Sequence, residues 1–97
     1  MIEHIVLFKP RPEATREQRE ALRDGLLALR EKVPGIVAAS CGFNFSERAQ
    51  GHDIGFVVRF VDREALDAYL PHPEHQRVVQ ECWRPIAESS LGVDFEV

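Results

Sequence analysis

Cysteine is scarce in this sequence, and the two cysteines that it has are far apart. Cys41 and Cys82 show no C-x-x-C spacing in a chain of 97 residues. A disulfide framework or a cysteine-based zinc site is therefore not expected. Two reduced, buried thiols in a cytoplasmic protein fit this usage better.

Long apolar runs and an N-terminal targeting segment are also lacking. The N-terminal residues Met1–His4 do not form the basic head of a signal peptide, and no long apolar stretch follows them. No apolar run approaches the roughly 20 residues that a membrane-spanning helix needs. We therefore expect a cytoplasmic protein that does not insert into a membrane.

Basic residues are outnumbered by acidic ones. The chain has 12 Lys and Arg against 16 Asp and Glu, which gives a net charge of −4. Nucleic-acid-binding proteins usually carry a basic face, so nucleic acid is not an expected partner. The length indicates one domain, residues 1–97, near the size at which association with a second copy adds useful stability.

Hydrophobic periodicity and turn signals divide the chain into strands and helices. Thr15 followed by Gln18 is the signature of a capping box, and Pro34 stops the helix that this box opens. Gly42 is expected to mark a β-bulge, and Pro85 to break or kink the last helix. In chain order we predict a strand over 2–8, a helix over 15–33, strands over 36–45 and 52–60, a helix over 62–69, a helix from 73 and a strand over 91–97.

The order strand, helix, strand, strand, helix, strand is typical of an α+β, ferredoxin-like fold. Such a fold has a four-stranded antiparallel sheet with helices on one face. The strands are apolar on both faces, as Val6 and Leu7 show in the first strand. Burying the second face would contribute roughly 25 cal/mol per Å² of apolar area. Because nothing else in the chain covers that face, we predict a homodimer in which two sheets pack face to face.

The segment from Tyr69 to His75 concentrates groups that can transfer protons. It holds one phenol and two imidazoles, and it also holds Pro71 and Pro73. Each proline disfavours the α region for the residue before it, so one helix cannot run straight through. We predict that a helix ends near Tyr69 and that the next begins with His72 as N-cap and Pro73 as first helical residue. Tyr69 and His75 then flank a chain reversal, where both side chains can turn inwards.

Short segments spread over nearly the whole chain match one protein family in order and spacing. The most specific of them is Tyr69-x-x-His72-Pro73-x-His75. The others are weaker individually: His4–Lys9, Val33–Ile36, Gly42–Ser46, Phe60 with Asp62, and Leu66. Together they resemble the stress-responsive A/B barrel domain (Dabb) family. The resemblance implies a homodimeric α+β barrel, and many members of the family have no settled reaction.

The resemblance also implies a chemistry. One branch of the family contains plant polyketide cyclases, which close a linear poly-β-ketone into an aromatic acid by intramolecular aldol condensation without metal or organic cofactor. The residues that carry this reaction resemble Tyr69, His75, His4 and Asp94. A cofactor-free cyclase or lyase with a small apolar or aromatic ligand would use His75 as base and Tyr69 as donor to the carbonyl, with His4 and Asp94 as orienting groups. A helix N-terminus disfavours the charged form of His75 and Glu74 favours it, so the sequence leaves the protonation of His75 open.

This chemistry requires His4 and Asp94 to meet. Side chains alternate along a strand, so an Asp94 that faces the helices would send Val93 and Phe95 towards the partner sheet. We expect the first and last strands to lie near each other in the sheet, though not to be adjacent. A carboxylate beside an imidazole would fix the tautomer of the ring.

The sequence is also compatible with other function classes. A non-catalytic dimeric module for small-ligand binding or stress response would keep the fold, with the same polar groups tied up in capping and solvent. Quinone-forming monooxygenases and haem degraders share the dimeric α+β barrel, but the spacing of the motif fits them poorly. A metal site on His72 and His75 lacks the further ligands of a tetrahedral site, so neither a metal nor a cofactor is expected. His52 is expected in a solvated turn.

Overall fold

The computed structural model describes residues 1–97. It contains one four-stranded antiparallel sheet, and the predicted α+β, ferredoxin-like class is confirmed. The strands are β1 (Ile2–Pro10), β2 (Ile36–Phe43), β3 (Ile54–Phe60) and β4 (Ala87–Glu96). The α-helices are α1 (Arg16–Ala28), α2 (Arg63–Tyr69) and α3 (Pro73–Val78). None of the helices is long and apolar enough to cross a membrane.

The strand order in the sheet is β2-β3-β1-β4. The expectation that the first and last strands are not adjacent is therefore wrong, since β1 pairs with β4 along its whole length. The two strand–helix–strand units interleave, so that β3 lies between β1 and β2 while β1 lies between β3 and β4. This arrangement leaves β2 and β4 at the two edges.

The first helix begins at the predicted capping box. The Thr15 hydroxyl accepts a hydrogen bond from the Gln18 backbone at 3.1 Å, and the Gln18 side chain accepts one from the Thr15 backbone at 2.9 Å. After α1 a 3₁₀ turn covers Leu29–Glu31. The chain then reverses at Gly35, whose φ of 90° lies in the left-handed region that glycine adopts most readily.

The second strand begins at Ile36 as predicted but ends earlier than predicted. It stops at Phe43 rather than Phe45, because the Asn44 side chain bonds the backbone of Ser46 at 2.9 Å and starts a turn instead of continuing the ladder. The predicted bulge at Gly42 is also wrong. Gly42 pairs regularly with Gly55, and the register shift falls between residues 36 and 38, where the Val37 carbonyl accepts from the Arg30 side chain.

The helix break around Pro71 and Pro73 forms as predicted. Asp62 caps α2 by accepting from the Ala65 backbone at 2.9 Å, and α2 ends at Tyr69. His72 is the N-cap of α3, and its Nδ1 accepts from the Glu74 backbone at 3.1 Å. The α3 helix continues as a π-helical turn over Val79–Trp83 and ends in a 3₁₀ turn over Arg84–Ile86, which contains Pro85.

The last strand is longer than the alternation in the sequence predicts. It begins at Ala87 rather than Leu91, because β1 itself extends to Pro10 and pairs with it. Residues 87–90 carry no apolar alternation that would mark them as a strand.

The hydrophobic core lies between the sheet and the helices. It consists of fifteen buried residues: Ile2, Phe8, Leu22, Leu26, Leu29, Val33, Ile54, Phe56, Val58, Phe60, Leu66, Tyr69, Val78, Trp83 and Ile86. The opposite face of the sheet, which we call the open face, has no covering from within the chain. Its exposed apolar side chains are Leu7, Val57, Leu91, Val93 and Phe95.

Candidate functional site

Tyr69 occupies the C-terminal residue of α2 and is completely buried. Its ring packs against Phe60 and His75, with centroid distances of 5.0 and 4.3 Å. The hydroxyl is buried as well, yet no protein group forms a hydrogen bond with it. Burial raises the pKa of Tyr69 above its ordinary value, so the hydroxyl stays protonated and can donate a hydrogen bond throughout the physiological range.

His75 is the third residue of α3, one turn after the helix break. Its Nδ1 lies 2.9 Å from the Leu70 carbonyl oxygen. A carbonyl only accepts, so Nδ1 carries the proton and Nε2 of the neutral ring keeps its lone pair. Burial lowers the pKa of His75 below its ordinary value, although the hydrogen bond to Leu70 acts in the opposite direction. The sequence left the protonation of His75 open, and the structure favours a neutral ring.

His4 and Asp94 meet across the ladder between β1 and β4. They are direct register partners, and the Asp94 carboxylate accepts a hydrogen bond from Nδ1 of His4. His4 is buried, whereas nearly half of the Asp94 side chain is exposed. The His4 ring also lies edge-on to Tyr69, with 6.0 Å between the ring centroids. The structure therefore brings together all four residues that the sequence nominated.

A cavity of about 330 Å³ adjoins three of these side chains. Nine of its thirteen lining residues are hydrophobic, the aromatic Tyr69 included. His4, Tyr69 and His75 provide its polar part. The remaining lining residues are Val6, Phe8, Leu22, Leu26, Phe56, Leu70, Val79, Trp83, Ser90 and Gly92. A pocket of this kind, largely apolar with a few convergent polar groups, suits a small apolar ligand that carries one polar function.

Sequence reasoning missed two parts of this cavity. Ser90 and Gly92 form its wall on β4, and Val79 and Trp83 reach it from the π-helical turn. Ser90 and Gly92 did have a signal in the sequence, since they are small residues at alternate positions before Asp94 and therefore share its face of the strand. For the π-helical turn the sequence gives no signal beyond Pro85 downstream.

The two remaining histidines have local structural contacts. His72 uses Nδ1 as the N-cap of α3, and His52 places Nδ1 within 2.9 Å of the Ala49 carbonyl. Neither residue lines the cavity. No group of three or more His, Cys, Asp or Glu side chains is arranged to hold a metal ion.

Comparison with known proteins matches most of the chain to one family. The model of the Stress responsive A/B Barrel Domain, Dabb, matches residues 2–97. The uncharacterized Streptomyces coelicolor protein SCO4036 is 33% identical over 98 residues, which cover 99% of each chain. A stress-response A/B barrel domain-containing protein of Arabidopsis thaliana is 33% identical over 97 residues, covering 98% of this chain but 36% of the plant protein.

Solved structures share the fold over almost the whole chain. A dimeric ferredoxin-like protein of unknown function from Jannaschia sp. CCS1 is 30% identical, with a TM-score of 0.74 over 99% of this chain and 98% of the other. The Arabidopsis thaliana protein At3g17210 is 22% identical, with a TM-score of 0.89 over 100% and 95% of the two chains. The hydroxynitrile lyase of Passiflora edulis is 15% identical, with a TM-score of 0.86 over 97% and 90%. At these identities the last two likenesses show the fold alone.

Proposed function

Because the chain belongs to the stress-responsive A/B barrel domain family, we propose that it is a cofactor-independent enzyme that acts by acid–base chemistry on a small apolar carbonyl compound. The reaction proposed is an intramolecular aldol cyclisation like that of the polyketide cyclases that the sequence resembles. One observation carries the proposal: the Tyr69 hydroxyl is buried without a hydrogen-bond partner, in a residue that lines an apolar cavity beside two imidazoles. A buried unpaired hydroxyl costs about 1–3 kcal/mol, and such a cost is accepted where the group has a functional partner.

The chemistry begins with removal of a proton next to a carbonyl group. Nε2 of His75 takes the proton, and the electrons of the C–H bond form the C=C bond of an enolate. The Tyr69 hydroxyl donates a hydrogen bond to the enolate oxygen, where the negative charge develops. A lowered pKa suits His75 for this role, since the neutral ring is then available near neutral pH.

Ring closure follows within the same cavity. The enolate carbon attacks a second carbonyl of the same molecule, so a C–C bond forms as the C=O π bond breaks. The resulting alkoxide takes the proton that His75 holds, and loss of water then leads towards the aromatic ring. No outside oxidant or reductant is needed, because protons and electrons balance within the substrate.

His4 and Asp94 act as the orienting pair in this proposal. The Asp94 carboxylate holds the proton of His4 on Nδ1, which leaves Nε2 of the neutral ring free to accept a hydrogen bond from the substrate. His4 lines the cavity together with His75, and the Tyr69 ring lies close to both imidazoles. The name of the Passiflora edulis protein adds that one protein of this fold is a lyase.

The test is turnover of a linear triketone. Turnover is measured as loss of the triketone and as the rise in absorbance of an aromatic product. We expect wild type to exceed the buffer rate. Tyr69→Phe should lose about a hundredfold to a thousandfold in kcat, as removal of one oxyanion donor does elsewhere. His75→Gln should lose about a hundredfold or more, and His52→Gln, which alters a loop histidine outside the cavity, should match wild type.

A wild-type rate equal to that of buffer would contradict the proposal. Rates of triketone turnover by Tyr69→Phe and His75→Gln that equal the wild-type rate would contradict it as well. Binding of the triketone without turnover, seen as a rise in melting temperature, would instead indicate a non-catalytic ligand-binding module with the same apolar cavity.

We also propose that two copies associate through the open face. Leu7, Val57, Leu91, Val93 and Phe95 expose a contiguous apolar surface there, of the kind that marks protein–protein interfaces. Glu3 and Arg59 on the same face form an ion pair, so their charges offset one another. The Jannaschia protein, 30% identical, is described as dimeric. Sedimentation at micromolar concentration should give a dimer, and a monomer would contradict this assembly.

A reducing, cytoplasmic compartment is proposed for the protein. Cys41 and Cys82 are both free and half-buried. Burial raises the pKa of Cys41 to about 11, so its thiol stays protonated and unreactive at neutral pH. Fluorescence of a tagged chain in fractionated cells would test the location.

A further inference from the structure

The β4 strand contributes one wall of the cavity, and it is hydrogen-bonded to one strand only. It lies at an edge and packs mainly on β1. On its helix side the successive residues are Ser90, Gly92 and Asp94, and the first two line the cavity. Small side chains that face a cavity give a strand little packing from that side.

The apolar side chains of β4 all lie on the open face. The β1–β4 register pairs them with residues of β1 that also lie on this face: Leu91 with Leu7, Val93 with Ile5 and Phe95 with Glu3. No part of the chain covers this face. Their exposed fractions are 55, 56 and 44%. Every residue from Glu88 to Glu96 is exposed. The hydrophobic packing that would fix β4 is therefore absent within one protomer.

From this arrangement we propose that a second copy of the chain stabilises the candidate site by holding β4, and with it Asp94, against His4. The inference rests on the proposed function and on the homodimer described above. Val93 and Phe95 flank Asp94 in the strand, so covering them restrains the backbone that carries the carboxylate. The occupant is a second copy because the face is apolar, its Glu3–Arg59 ion pair is internally matched and a 30% identical relative is dimeric.

The other half of the site does not depend on the partner in this way. Tyr69 is completely buried between sheet and helices, and His75 is bonded to the Leu70 carbonyl within the same helix pair. Dissociation is therefore expected to release Asp94 from His4 while Tyr69 and His75 keep their places. General unfolding would disturb all four residues, so loss of the Asp94–His4 hydrogen bond alone distinguishes dissociation from unfolding.

The experiment compares Val93→Glu with Ala21→Glu. Val93→Glu places a charge in the middle of the open face, whereas Ala21→Glu places the same charge on the exposed side of α1. Sedimentation gives the assembly state, and NMR of the histidine rings in ¹⁵N-labelled protein gives the protonation and hydrogen bonding of each ring. We expect Val93→Glu to be monomeric and to lose the hydrogen-bonded Nδ1 proton signal of His4. His75 in that variant, and both histidines in dimeric Ala21→Glu, should remain as in wild type.

Three results would overturn the proposal. The first is a monomeric Val93→Glu protein in which the His4 signal is intact. The second is a dimer that survives both Val93→Glu and Phe95→Lys, because the open face would then not be the interface. The third is a wild-type chain that is monomeric with Asp94 still bonded to His4.

If Val93→Glu fails to fold, wild-type protein is measured by hydrogen exchange over a dilution series. Exchange in residues 87–96 should then accelerate as the dimer dissociates, while exchange in residues 63–78 stays constant. Equal rates at all concentrations would overturn the proposal. None of these measurements uses turnover, so a failure of the proposed reaction and a failure of this inference remain distinguishable.

Discussion

His4 and Asp94 are direct cross-strand partners although 90 positions separate them in the sequence. The β1–β4 register places both on the helix side of the sheet, where the carboxylate accepts a hydrogen bond from Nδ1 of the ring. Because a carboxylate only accepts, the lone pair of the neutral ring is left on Nε2. A residue of the last strand thus sets the tautomer of a residue of the first strand, beside the cavity.

Asp94→Asn tests this control of the His4 ring. An amide can accept through its oxygen or donate through its nitrogen, so both tautomers of His4 become accessible. We expect kcat to fall about tenfold with KM little changed, a smaller loss than the hundredfold or more for a direct acid–base group. Kinetics and NMR of the His4 ring measure the two effects, with Asp67→Asn on α2 as control. Unchanged kinetics together with a single His4 tautomer would show that Asp94 has no such role.

Tyr69→Phe separates stability from function. The substitution removes only a hydroxyl that is buried without a partner, so the free energy of unfolding should be unchanged or should rise by about 1 kcal/mol. Urea unfolding measures this change, and the slope of the transition checks that the fold is kept. A clear loss of stability would mean that the hydroxyl has a hydrogen-bond partner within the protein.

His75 gives the protein a component of stability that depends on pH. Its pKa in the folded chain is lower than the ordinary value of 6.5, chiefly because of burial. As pH falls from 6.5 through the folded pKa, the unfolded chain binds more protons than the folded chain, so stability decreases. His75→Gln should therefore lose less stability than wild type over this window, whereas His52→Gln should follow wild type.

The same pKa predicts the acidic limit of activity. The base must be neutral, so kcat/KM should decline on acidification with an apparent pKa below 6.5. If the apparent pKa of this decline lies above 6.5, the essential base is a group other than His75.

Gly92→Val tests whether the ligand occupies the cavity. A Cβ atom added at Gly92 would meet only the Ile5 carbonyl oxygen, at 4.0 Å, so the strand can accept a side chain there. Valine also favours extended backbone, so stability should be kept or improved. Because the new side chain fills space beside Ser90, we expect ligand affinity to fall by at least about tenfold, with a smaller loss for Gly92→Ala. Equal ligand affinity of wild type, Gly92→Ala and Gly92→Val would show that the ligand binds outside this cavity.

Local signals in the sequence were sufficient for most of the elements and for the helix break. The Thr15–Gln18 box, the Asp62 cap and the Pro71–Pro73 pair each act over a few residues, so their effects can be predicted without knowledge of the rest of the chain. The nomination of Tyr69, His75, His4 and Asp94 came from the family resemblance, and strand alternation then indicated which neighbours of Asp94 face the other way.

Features that depend on long-range contacts could not be predicted in the same way. The adjacency of β1 and β4 follows from how the two strand–helix–strand units interleave, and the true start of β4 follows from its pairing with Pro10. The β2 strand ends early because the Asn44 side chain competes for backbone groups. The cavity depends on how the π-helical turn carries Trp83 over the sheet, which no short pattern encodes.

The most direct measurement is exchange of the protons next to the carbonyl of a saturated methyl ketone in D₂O, followed by NMR. This half-reaction needs only the base and the oxyanion donor, so it does not depend on the identity of the natural substrate. We predict that wild type accelerates the exchange over buffer and that Tyr69→Phe and His75→Gln each abolish most of the acceleration, while His52→Gln retains it. Exchange at the buffer rate with wild type, or acceleration that survives both substitutions, would contradict acid–base catalysis at this site.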